Sequence, residues 1–143
     1  MSKEFKDCLS SKKIMEFPRA KDLVSKELDQ AGADYDSARD SFDRGIFKWS
    51  TIQSYYSMFH SARALLYAQG YRERSHYCLI AAMRALYVEK GSLSHRLLES
   101  FQLGKTLREN ADYYGEFSRE AAAQLLEDAG RFLETARKLT IGI

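Results

Sequence analysis

One proline in 143 residues is the feature that most constrains this chain. At the usual frequency of about 5%, a chain of this length would carry roughly seven. Pro18 stands alone and turn dipeptides are few, so long stretches have nothing to break a helix. The apolar residues repeat with helical spacing. After Pro18, whose missing N–H suits the first turn of a helix, Val24, Leu28, Ala31, Tyr35, Ala38 and Phe42 form one stripe, and Gly45 is a natural stop. A second helix is predicted over 48–69. Trp49, Ile52, Tyr56, Phe59 and Leu66 make one stripe on it, and Tyr55, Met58, Ala62 and Leu65 make another. A helix apolar over so much of its circumference belongs at the centre. Further helices are predicted over 76–90, 93–114 and 118–139, the last started by Ser118 as a cap. Gly104 interrupts the fourth and marks a close approach to a neighbour. No strand-like alternation is visible. The expectation is an all-α, up-and-down bundle of four to five long helices in one domain, 18–143. Residues 1–17 precede it as a polar tail or a short helix.

Composition narrows the class. With 45% hydrophobic and 29% charged residues the chain can bury a core, which excludes a disordered protein. No run of eighteen apolar residues is present, and the first residues lack the apolar centre of a signal peptide. Two cysteines, Cys8 and Cys78, make no disulfide framework and no zinc motif. They are read as free thiols in a reducing compartment, so a cytoplasmic protein is expected.

Charge is uneven along the chain. Residues 21–45 carry four basic and seven acidic groups, whereas 46–96 carry seven basic and two acidic. The basic segment is either an ordinary solvated surface or an anion-binding face. Within it, Arg72 and Arg74 lie in a short polar connection, where side chains can reach a ligand without disturbing the core.

Common motifs are excluded one by one. There is no GxGxxG. Gly104-Lys105-Thr106 ends like a phosphate-binding loop, but the required earlier glycine is Glu99 and the stretch is helical. No HExxH and no inward Glu-x-x-His is present, and His60, His76 and His95 fall on separate helices or their starts. No metal site and no cofactor are expected. Two clusters remain. His60 and Arg63 interrupt an apolar helix. A guanidinium there needs partners, either carboxylates that fix helix packing or a phosphate in an interhelical groove. Arg108, Asn110, Asp112 and Tyr113 crowd the end of the fourth helix. Arg108 and Asp112 are spaced to pair across one turn.

Three segments, in order, resemble a known family. Tyr55-Tyr56-Ser57-Met58-Phe59-His60-Ser61-Ala62-Arg63-Ala64-Leu65-Leu66 is similar to the second-helix signature of HEPN domains, named for higher eukaryotes and prokaryotes nucleotide-binding. Gly70 with Ser75-His76 is similar to the start of that family's third helix, and Arg108 with Ala111-Asp112-Tyr113 to the end of its fourth. The resemblance spans roughly residues 20–140 and is strongest to small stand-alone bacterial and archaeal members. It implies a helical bundle that forms a homodimer. It also implies a minimal nucleotidyltransferase as partner, in many cases as a toxin–antitoxin pair, and binding of RNA or nucleotide.

Active members are metal-independent ribonucleases with an arginine followed, after four to six residues, by a histidine. Here Tyr113, Tyr114 and Gly115 stand where that histidine would be. The expectation is therefore a binding module whose nucleotide or RNA contacts are His60, Arg63, Arg72, Arg74, His76 and Asp112. The alternative is a ribonuclease with a variant site of Arg108, Asn110 and Tyr113, and a second alternative is a structural helical adaptor.

Overall fold

A computed structural model describes residues 2–143. Its elements in chain order are α1 (Lys3–Ser10), β1 (Ile14–Glu16), a 3-10 turn (Ala20–Leu23), α2 (Val24–Asp43), α3 (Phe47–Ala68), β2 (Tyr71–Glu73), α4 (His76–Met83) continuing as a π-helical turn (Arg84–Val88), α5 (His95–Tyr114) and α6 (Arg119–Leu139). The fold is an all-α bundle, as the periodicity predicts.

The helix starts are written in serines. Ser75, Ser94 and Ser118 each accept the N–H three residues on, as does Ser2 at the start of α1. Gly115, with φ of 64°, takes the left-handed position that ends α5.

α3 is the central helix, packed by α2, α5 and α6. Its serines let α2 lie close. Ser50 Oγ donates to the Ala38 carbonyl (2.9 Å) and Ser57 Oγ to that of Ala31 (2.8 Å), both buried. Gly104 is the close approach its position suggests. A Cβ there would stand 3.2 Å from Leu125 Cδ1 and 3.5 Å from Tyr55 Cδ1.

The N-terminal segment differs most from expectation. It contains a short helix, one of the two forms foreseen, but it also adds a strand. β1 pairs antiparallel with β2, with Ile14 opposite Glu73, Met15 opposite Arg72 and Glu16 opposite Tyr71. Three residues per strand are too few for alternation to show in the sequence. Phe5 and Ile14 are fully buried in the main core. Consequently Arg72 and Arg74 do not lie on a loose connection, because Arg72 is in a strand and Arg74 N–H bonds to the Lys13 carbonyl (2.8 Å).

The free-thiol reading is corrected outright: Cys8 and Cys78 form a disulfide, with Cα atoms 5.8 Å apart. The pairing joins α1 to the first turn of α4 across 70 residues, a contact visible only once α1 has folded back. It removes the thiol argument for a reducing compartment. Among the described residues, no helix is long and apolar enough to cross a membrane.

Candidate functional site

Tyr55 and Tyr56 are consecutive on α3, about 100° apart around the helix, and so serve two neighbours. Tyr55 points into the core, 6% exposed, and stacks on Phe101 of α5. Tyr56 is half-buried and meets Arg108, one turn beyond Gly104 on α5. Arg108 Nη2 donates to Tyr56 Oη (2.7 Å), and the guanidinium lies over the rings of Tyr56 (5.3 Å) and Tyr113 (5.6 Å). Its only carboxylate among the described residues is Asp112, at 3.9 Å. Arg108 Nε is buried without a hydrogen-bond partner there. Beside it Lys105 and Glu109 pair at 2.8 Å. Asn110, also on α5, gives its main-chain carbonyl to the N–H groups of Gly115 and Glu116 and so closes the helix end. Tyr113 and Tyr114 are exposed.

His76 joins this cluster from another element. Ser75 caps α4 and aims His76 at α3, where its Nδ1 and Tyr55 Oη share a hydrogen bond of 3.2 Å. Tyr55 in turn packs edge-on against Tyr56, so one chain of contacts runs His76–Tyr55–Tyr56–Arg108. Burial, reinforced by the positive charge of Lys105, lowers the His76 pKa, so the ring is neutral at neutral pH. Burial pushes the Tyr55 phenol up to about 12, against the pull of Arg108.

A second cluster sits further along the same helix, toward its C-terminal end. Tyr56, His60, Arg63 and Tyr67 share one face of α3 at helical spacing. The last three are enclosed by acids. His60 Nδ1 lies 2.6 Å from Glu27 Oε2, and its Nε2 lies 3.8 Å from Asp34. Arg63 pairs with Glu27 (3.6 Å) and Glu73 (3.4 Å), donates to the Tyr67 hydroxyl, and stacks on Phe59 and Tyr67. Burial raises the Glu73 pKa despite the opposing pull of Arg63. Of the two readings open for Arg63, this is the carboxylate one.

The structure therefore brings Arg108, Asp112, Tyr113 and His76 together. It puts His60 and Arg63 in a separate acidic network, and Arg72 and Arg74 on the exposed side of β2. The sequence reading missed Tyr55, Tyr56, Lys105, Glu27 and Glu73. For Tyr56, the face it shares with His60 and Arg63 was the available signal. It also missed Asp128, 1% exposed, whose carboxylate accepts from Arg96 (2.6 Å), Ser100 (2.7 Å) and Gln124 (3.2 Å) and ties α5 to α6. Among the described residues, no group of three or more acidic, histidine or cysteine side chains could hold a metal ion.

The HEPN domain model matches residues 24–139, all of the chain from α2 to the end of α6. The chain belongs to the HEPN family. Its relatives are archaeal and bacterial. A "UPF0332 protein" of Archaeoglobus fulgidus is 31% identical over 102 residues, 70% of this chain and 81% of its own. One named "Putative toxin MJ0142" from Methanocaldococcus jannaschii is 25% identical over 131 residues, 90% of this chain and 88% of its own. A "UPF0332 protein" of Gloeobacter violaceus is 30% identical over 122 residues, 83% of this chain and 94% of its own. The matched span of this HEPN domain contains both arginine clusters. The α1–β1 segment and its disulfide cysteine Cys8 lie before it.

Proposed function

We propose that this HEPN protein binds an RNA or nucleotide phosphate at Arg108 and acts as a toxin-like module, as a homodimer and with a nucleotidyltransferase partner. The observation that carries the reading is the incomplete pairing of Arg108. Its guanidinium is held in place by two aromatic rings and one neutral hydrogen bond, with a single carboxylate at 3.9 Å. A fixed cation with donors to spare matches a phosphate oxygen. The name of the Methanocaldococcus relative supports a toxin role, and the dimer and the partner come from the resemblance to small stand-alone members. Induced expression in a bacterial host tests it. Growth arrest that Arg108→Ala abolishes, and that co-expression of the nucleotidyltransferase relieves, is the expected result. Normal growth with abundant folded protein contradicts it.

A second reading is favoured by His76. The family's usual histidine is missing from α5, yet a neutral imidazole stands in the contact chain leading to Arg108. In this reading His76 takes the proton of a ribose 2′-hydroxyl as its oxygen attacks phosphorus. Arg108 holds the charge that develops, and the 5′-oxygen leaves with a proton taken from solvent water, giving a 2′,3′-cyclic phosphate. Cleavage of RNA in the presence of a chelator, lost in both Arg108→Ala and His76→Gln, would establish it. Intact RNA after prolonged incubation would leave the binding role alone.

A further inference from the structure

The two-stranded sheet places cations where the sequence shows only two separate pairs. Strands β1 and β2 present alternate residues to opposite sides. Ile14 and Glu73, opposite each other in the register, face the core. Their neighbours Met15 and Arg72 face outward. Arg74 N–H donates to the Lys13 carbonyl (2.8 Å), which extends the ladder by one pair and sets Lys13 across from Arg74 on that outward side. Lys12 precedes it in the turn, with φ of 61°. Both acids of the strands, Glu16 and Glu73, belong to the other face of the pleat. All of Lys12, Lys13, Arg72 and Arg74 are exposed, and none is in an ion pair among the described residues. Arg72 rests on the Phe17 ring (5.1 Å), which fixes its direction. Like charges facing each other across a ladder are destabilising. Such an arrangement is relieved when a polyanion lies across it.

We propose that Lys12, Lys13, Arg72 and Arg74 form one surface that holds the backbone of single-stranded RNA beside the Arg108 site. Phosphate is the fitting partner because the face offers cations with no carboxylate among them on that side of the pleat. The chain leads from this face into the site, since Arg74 is followed by the Ser75 cap and His76. The Cys8–Cys78 disulfide holds the N-terminal half of the surface against the C-terminal half. The inference rests on the RNA reading of Arg108 and adds a second contact region to it, supplied partly by residues before the matched HEPN span.

The test is fluorescence anisotropy of a short labelled oligouridylate with the oxidised full chain, at two or more salt concentrations. The proteins are wild type, Lys12→Gln with Lys13→Gln, Arg72→Gln with Arg74→Gln, and Arg108→Ala, each checked by thermal melt. Each surface pair should weaken binding about 10-fold and flatten the salt slope by about 1.4, at about 0.7 per lost phosphate contact on a single strand. If Arg108→Ala abolishes binding and both surface pairs bind like wild type, the surface proposal is wrong and the Arg108 reading stands. The reverse pattern keeps the surface and overturns the Arg108 reading. No wild-type binding overturns both. If polyglutamate displaces RNA at equal charge concentration, the surface fits an acidic protein and the RNA assignment is wrong.

Discussion

Arg63 and Arg108 are both half-buried, both stacked on two aromatic rings, and both bonded to a tyrosine hydroxyl. They differ in acids. Two carboxylates from two other elements, α2 and β2, close on Arg63, whereas Arg108 has one distant partner on its own helix. An arginine enclosed by acids from several elements ties those elements together, and its charge is spent. An arginine oriented by rings has its charge only partly met, which is what the proposed phosphate site requires. The comparison separates an arginine of the scaffold, on α3, from the arginine of the proposed site, on α5.

The largest expected effect lies on the Arg63 side. Replacing both cysteines by serine should cost about 4 kcal/mol, on the loop-entropy account for a closed loop of this length. Hydrogen exchange should show protection lost first in α1, β1 and β2, because Phe5 of α1 packs edge-on against Tyr71 of β2. Urea denaturation should place Arg63→Ala next, about 3 kcal/mol less stable, since Glu73 would be left buried and unpaired. Arg108→Ala should change stability by about 1 kcal/mol or less. It should nevertheless weaken RNA binding by about 10- to 100-fold, equal to the roughly 1.4–2.7 kcal/mol of a charge-assisted phosphate contact. Equal stability losses for the two arginines would erase the distinction.

The smallest effect concerns pH. Burial, then Lys105, lowers the His76 pKa below its ordinary value near 6.5, so the unfolded chain takes up the proton first. The folded state is therefore unpenalised above about pH 6.5 and loses stability as pH falls through the window just below it. Stability curves of wild type and His76→Gln should converge in shape above that window, with the variant flatter below it. Identical slopes in both proteins would mean that His76 is not held neutral.

The long helices were legible because apolar spacing repeats over many turns. Leu97, Phe101 and Ala111 on α5, and Ala122, Ala129, Leu133 and Ala136 on α6, are buried as their spacing requires. The N-terminal unit was not legible, since its strands have three residues each, too few for an alternation to repeat, and its cysteine partner lies 70 residues away. Arg108 could be singled out from its neighbours in the chain, but its hydroxyl partner Tyr56 lies 52 residues earlier and looks like core. The fate of Arg63 depended on Glu27 and Glu73, which read as ordinary surface acids until α2 and β2 fold over them.

The distinction between the two arginines can be observed in one sample. Arginine side-chain Nε–Hε resonances are assigned by the single substitutions and followed while a short unstructured RNA is added. The Arg108 resonance is expected to shift progressively and saturate while that of Arg63 stays in place. An Arg63 resonance that moves while Arg108 remains fixed would contradict that distinction.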